Sequence, residues 1–180
     1  MSPIKKTLSH PKADAEKRLL FQNKIQRYQL TSRPLVYLDE SGFAHDMPRT
    51  HGYSFKGERC HGTQDWGARG RTNAIGALLD NSLLSVSLFD GIINSDVFEG
   101  WVEQDLLPKL PPHSVIIMDN AAFHKKASTK QLIDNAGHTL EFLPPYSPDL
   151  NPIEHKWAQA KAIRRQHQCS INELFQKYCT

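Results

Sequence analysis

An α/β architecture, a mixed sheet flanked by helices, follows from three features of this chain. Short apolar runs come first and include a hairpin pattern, and strand and helix patterns then alternate toward the C-terminus. The run Val115-Ile116-Ile117-Met118 is apolar throughout, as expected of a strand buried on both faces. Two apolar runs, 35–38 and 115–118, lead directly into an aspartate, Asp39 and Asp119, and open α/β sheets gather reactive groups at the carboxyl ends of their strands.

The elements follow in order. Residues 1–10 read as a loose basic leader. Over 13–29, Leu20, Phe21, Lys24, Ile25 and Tyr28 recur at helical spacing and form one apolar stripe, which Ser32-Arg33-Pro34 ends. Residues 35–38 are a buried strand, with Asp39-Glu40-Ser41-Gly42 as the turn behind it. The segment 43–70, rich in Gly, His and Arg, holds one irregular strand pair. Strands over 72–79 and 83–89 flank Asp80-Asn81-Ser82 and form a hairpin. A helix over 94–107 has Val97, Trp101 and Leu106 or Leu107 on its apolar side, and Pro108, Pro111 and Pro112 fence it off. Beyond the strand at 115–118, a helix over about 125–135 stops at Gly137, and 139–143 form another strand. The prolines of Pro144-Pro145-Tyr146-Ser147-Pro148-Asp149-Leu150 exclude both helix and central strand. The last helix spans 151–166, with Asn151 as N-cap and Pro152 in its first position.

Composition sets broad limits. A chain of 180 residues can bury roughly 70% of its unfolded surface. With 39% apolar and 23% charged residues it reads as an ordinary soluble protein, and no apolar run approaches the ~20 residues of a membrane span. Three cysteines without close pairing suit a reducing cytoplasm. A net charge of +3 permits nucleic-acid binding without arguing for it.

Three acids are candidates for one site: Asp39, Asp119 and Glu154. Each has a structural alternative. A strand-end Asp can receive turn amides, and Asn151-Pro152-Ile153-Glu154 fits a capping box that would occupy Glu154 with the helix start. As a set they are more informative. Two hard cations ~4 Å apart need carboxylates converging from separate elements, and two strand ends plus one helix start supply them. Zinc fits less well, because His45, His51, Cys60 and His61 lack the paired short spacings of a structural site.

Leu-Asp-Glu-Ser-Gly-Phe (38–43), Met-Asp-Asn-Ala-Ala-Phe-His (118–124) and Leu-Pro-Pro-Tyr-Ser-Pro-Asp-Leu-Asn-Pro-Ile-Glu-His-Lys-Trp (143–157) resemble the DDE transposases of the bacterial insertion-sequence branch of the mariner superfamily. The motifs stand in that family's order, and 34 residues separate Asp119 from Glu154, as is familiar there. Arg49-Thr50-His51-Gly52-Tyr53 with Lys56-Gly57-Glu58-Arg59 also resembles the family's loop after the first acid. The resemblance implies a ribonuclease H-like fold for 35–180, with 1–34 as basic leader and linker helix. It implies Asp39, Asp119 and Glu154 as catalytic residues and metal ligands, Mg2+ as cofactor (Mn2+ as substitute), and DNA cleavage followed by strand transfer into a TA dinucleotide. A bacterial, nucleoid-associated protein is the corresponding expectation, with a homodimer as one possible assembly. Transposases of this type carry helix-turn-helix modules ahead of the catalytic domain, and the ~30 residues before the first strand are too few for one. A DNA-reading partner from a separate reading frame is therefore expected, with activity dependent on it. The alternative is a non-catalytic, DNA-binding remnant that keeps the fold.

Candidate DNA contacts are Arg49, Lys56 and Arg59 in the most basic stretch, His124 after the second acid, and Lys161 and Arg165 on the last helix. The last two lie within a turn's width of the direction of Glu154. Asn120 is a candidate for orienting Asp119 or a phosphate, and Trp157 reads as core.

Overall fold

The structure, a computed structural model, describes residues 12–45, 70–121 and 126–179. Its centre is a five-stranded mixed sheet of order β3-β2-β1-β4-β5. The strands are β1 (Leu35–Ala44), β2 (Arg71–Leu79), β3 (Ser82–Phe89), β4 (Val115–Met118) and β5 (Thr139–Phe142). The first three form an antiparallel meander, and β4 and β5 continue the sheet parallel to β1. The hairpin between β2 and β3 turns tightly, with Leu79 paired to Ser82 and Asp80 at φ 55. A short side chain able to adopt the left-handed region is what such a turn demands.

Side-chain alternation along the strands assigns two faces. One face carries Val36, Leu38, Ile116 and Met118 against Phe98, Trp101, Val102, Leu106 and Ile133. These come from α2 (Ser95–Trp101), its π-helical continuation Val102–Leu106, and α3 (Ala127–Asn135). The helix expected over 94–107 thus changes pitch after Trp101 and ends in a 3₁₀ turn at Leu107–Lys109, which contains Pro108. The other face carries Phe43, Ala74 and Leu78 against Ile153, Trp157 and Ala160 of α4 (Ile153–His167). Val115, Ile117 and Leu143 on that same side pack against Phe21 and Ile25 of α1 (Ala15–Leu30). Leu20, expected in the α1 stripe, is 62% exposed, because Phe21, Ile25 and Tyr28 alone make a seam narrow enough to meet the sheet.

Two further sequence expectations need correction. Asp39-Glu40-Ser41-Gly42 is not a turn: β1 runs on to Ala44, because the long β2 supplies backbone partners from Asp39↔Gly76 to Ala44↔Arg71. The C-terminal segment also holds structure unforeseen in the sequence. A short helix α5 (Ile171–Glu173) continues as a π-helical turn, Leu174–Tyr178, and Leu174 completes the α4 side of the core. The strand pair expected within 43–70 falls largely outside the described residues. Among the described residues no helix is long and apolar enough to cross a membrane.

Candidate active site

Register brings the first two acids together. β1 and β4 pair in parallel from Leu35↔Val115 to Tyr37↔Ile117. Carried two residues further, the same register sets Asp39 level with Asp119, both on the face shared with Tyr37 and Ile117. There β1 stays paired with β2, while β4 has ended at Met118. A cleft opens at this divergence. Asp39 is therefore a mid-strand residue standing just past the parallel ladder, whereas Asp119 does follow a strand end. The turn-amide role anticipated for such residues is present, since Asp119 Oδ1 accepts the Ala121 N–H at 3.0 Å.

The third acid arrives on α4, which crosses the same face. The capping box is not formed. Asn151 is not the N-cap of α4, Pro152 is, and no side chain caps this helix. The Asn151 amide turns inward instead, where its Nδ2 donates to the Leu38 carbonyl at 3.4 Å, and its N–H is taken by the Pro148 carbonyl at 2.9 Å. Glu154 is thus exposed in the first turn of α4 and borders the cleft. The cleft, about 410 Å³, is lined by Asp39, Asp119 and Glu154 together with Asn120, Asn151 and the proline loop 144–148. That loop is rigid by composition, and Ser147 within it is buried.

Among the described residues that line the cleft none is cationic. Burial first, then repulsion from Glu154, Glu40 and Asp119, pushes the Asp39 carboxyl up from 3.8 to about 7, against the opposing Glu40 N–H bond. A hard divalent cation, which takes oxygen ligands, would relieve that crowding, so the donor set fits magnesium or manganese in kind. As they stand, no three His, Cys, Asp or Glu side chains among the described residues are gathered closely enough to form a ready-made metal cage. Mutual repulsion between carboxylates is a sufficient reason for them to stand apart.

The other candidates scatter. Lys161 and Arg165 lie about two and three turns beyond Glu154 and do not line the cleft. Lys161 Nζ sits 5.5 Å from the Phe43 ring centroid, and Arg165 is exposed. Arg49, Lys56, Arg59 and His124 lie outside the described residues, as do His51, Cys60 and His61. His45 Nε2 shares a hydrogen bond with Thr72 Oγ1 at 2.9 Å. Trp157 is core, 1% exposed and edge-on to Phe43 and Phe175. Arg164, which no motif marks in the sequence, is buried with its Nη1 on the Ala44 carbonyl at 2.6 Å and ties α4 to the end of β1. Ser170 and Glu173 form a capping box, for which Ser-x-x-Glu is the legible signal.

Comparison with known proteins places this geometry in a family. The profile of the DDE superfamily endonucleases matches residues 34–174. An uncharacterized protein, y4pE/y4sA of Sinorhizobium fredii (strain NBRC 101917 / NGR234), is 49% identical over 45 residues, which cover 25% of this chain and 31% of that protein. Among solved structures, the Mos1 transposase paired-end complex with left transposon end superposes with a TM-score of 0.71 at 16% identity, over 91% of this chain and 54% of that one. The catalytic domain of Mos1 mariner transposase gives 0.61 at 12% identity, over 94% of this chain and 82% of that one. Other structures of the Mos1 paired-end complex were solved with Mg and with Mn. This chain spans about half the length of the transposase in the first of these complexes. The likeness to Mos1 is one of fold, a ribonuclease H-like mixed sheet flanked by helices. From the profile match over most of its length, the chain belongs to the DDE superfamily endonucleases, with the fold of a DDE transposase catalytic domain.

Proposed function

We propose that this chain is the catalytic domain of a DNA transposase, with Asp39, Asp119 and Glu154 as its catalytic acids and metal ligands. The observation that carries this reading is the single cleft bordered by all three carboxylates, each from a different part of the fold. Magnesium bound there would supply Lewis acidity at the phosphate oxygens and lower the pKa of an attacking water. The protein's own part is to hold the phosphodiester beside Asp39, Asp119 and Glu154. With its carboxyl raised to about 7, Asp39 is partly protonated at neutral pH, and a bound cation would displace that proton. Cleavage has water attack a phosphodiester at the element's end, with the 3′-oxygen leaving as a 3′-hydroxyl. That hydroxyl then attacks a target phosphodiester, whose own 3′-oxygen leaves, with TA as the target dinucleotide.

Residues 35–180 form the catalytic domain on this reading, and 1–34 form the leader and linker helix. DNA is the partner, and its backbone is held by Arg49, Lys56, Arg59, His124, Lys161 and Arg165. A helix-turn-helix module on a separate chain reads the element's ends, in a bacterial cytoplasm, and two copies of the domain serve the two ends. The resemblance of the three motifs and the Mos1 structures with Mg and Mn support this picture.

The test is nicking of supercoiled DNA in Mg2+ or Mn2+. Wild type is expected to nick, and Asp39→Asn, Asp119→Asn and Glu154→Gln to lose at least about a hundredfold in rate. Since Glu154 caps nothing in this structure, Glu154→Gln should leave the far-UV spectrum unchanged. Wild-type nicking by Glu154→Gln would remove it from the triad. A wild type inert in both metals even when joined to its DNA-reading partner would favour the non-catalytic remnant.

A further inference from the structure

We infer that Asn151 and Gly76 are positioning residues that set the distance between Glu154 and Asp39. This rests on the three-acid reading above and adds two residues that have no chemistry of their own. Asn151 is 3% exposed and touches both acid-bearing segments at once. Its Nδ2 donates to the Leu38 carbonyl, the peptide group that leads into Asp39, at 3.4 Å. Its own carbonyl accepts the Glu154 N–H at 3.2 Å. One residue thus bridges the backbone of β1 at the first acid to the backbone of α4 at the third.

The buried amide also carries a cost that a simple helix cap would avoid. Asn151 Oδ1 is buried and has no hydrogen-bond partner among the described residues. A buried acceptor without a partner is unfavourable, because its desolvation is not offset by a hydrogen bond. A capping Asn would have spent that oxygen on the second or third N–H of the helix. The side chain serves the strand instead of the helix.

Gly76 makes the second contact. It is the β2 residue paired opposite Asp39. A Cβ there would lie 2.5 Å from Trp157 Cη2 and 2.8 Å from Trp157 Cζ2, closer than packed atoms allow. The indole therefore rests on bare backbone beside Asp39, and Trp157 stands about one turn after Glu154 on α4. Glu154 is held from both sides, through Asn151 before it and Trp157 behind it.

The experiment measures Mn2+ affinity by titration calorimetry, with melting temperature in EDTA as a separate readout. Asn151→Ala and Gly76→Ala are expected to weaken Mn2+ binding about 10–100-fold, the usual effect of disturbing groups that orient metal ligands. Gly100→Ala is the control, because a Cβ at Gly100 meets nothing within 4 Å. Adding Trp157→Phe to Gly76→Ala removes the colliding ring atoms and should recover affinity. If wild type binds Mn2+ in an Asp119-dependent manner and both Asn151→Ala and Gly76→Ala bind as tightly, the positioning role is overturned. If wild type does not bind, or Asp119→Asn binds equally, the three-acid reading falls and this inference with it.

Discussion

Asp39 shows how much a single residue's setting changes its chemistry. In the unfolded chain its carboxyl loses a proton near its ordinary value of 3.8, and in the fold at about 7, chiefly through burial. Between those values the folded state holds the extra proton, so this residue's contribution to stability falls as pH rises from about 4 to 7 and is level above that. Asp39→Asn is neutral throughout and escapes the loss. In EDTA it should gain on wild type between pH 5 and pH 8, by on the order of 2–3 kcal/mol. Urea unfolding at the two pH values measures this, and an equal difference at both would mean that Asp39 titrates as an ordinary aspartate. The sequence identified this residue by its place at the end of an apolar run. It could not supply the raised pKa, which comes chiefly from burial and then from Glu154 and, more weakly, Asp119 approaching through the fold.

At the scale of elements, α1 is tied to the wall of the cleft. Arg18 Nη1 and Nη2 donate to Asp149 Oδ1 and Oδ2 at 2.9 and 2.6 Å, and the pairing holds the Asp149 carboxyl below its ordinary value. Lys24 and Tyr28 on the same helix reach Glu141 of β5 at 2.8 and 2.6 Å. Because the Arg18 pair is partly exposed, Arg18→Ala should cost only about 1 kcal/mol or less in global stability. Its local effect should be larger. The Leu150 and Asn151 amides, bonded to the Ser147 and Pro148 carbonyls, should exchange faster with solvent, as read by hydrogen exchange. Exchanging the charges, Arg18→Asp with Asp149→Arg, should restore protection, and unchanged exchange in Arg18→Ala would show that the prolines alone hold the loop. Helix periodicity placed α1 to within two residues, yet none of these partners is near it in sequence. The extension of β1 through Gly42 was likewise illegible, because a turn-like composition gave way to pairing with β2.

For the whole molecule, the sheet separates a helical layer of α2 and α3 from one of α1 and α4, and the cleft opens on the second side, where β1 and β4 diverge. A cation bound only by the native state raises stability by about 2.7 kcal/mol at a hundredfold excess over its Kd. For a chain of 180 residues this corresponds to a rise in Tm of about 5–10 °C. Magnesium or manganese should give such a shift in wild type and a smaller one in Asp119→Asn. Equal shifts, measured by calorimetry, would remove Asp119 from the site.

The order and kind of most elements are legible in the sequence, because apolar periodicity and proline punctuation act locally along the chain. The sequence also singled out the three acids, through their motifs and spacing. Where Asn151 turns, that Glu154 caps nothing, and that Gly76 seats Trp157 opposite Asp39 emerge from the packed fold alone. Each of these depends on which strand lies beside which and in what register. Register is fixed by the burial of whole faces, to which every element contributes.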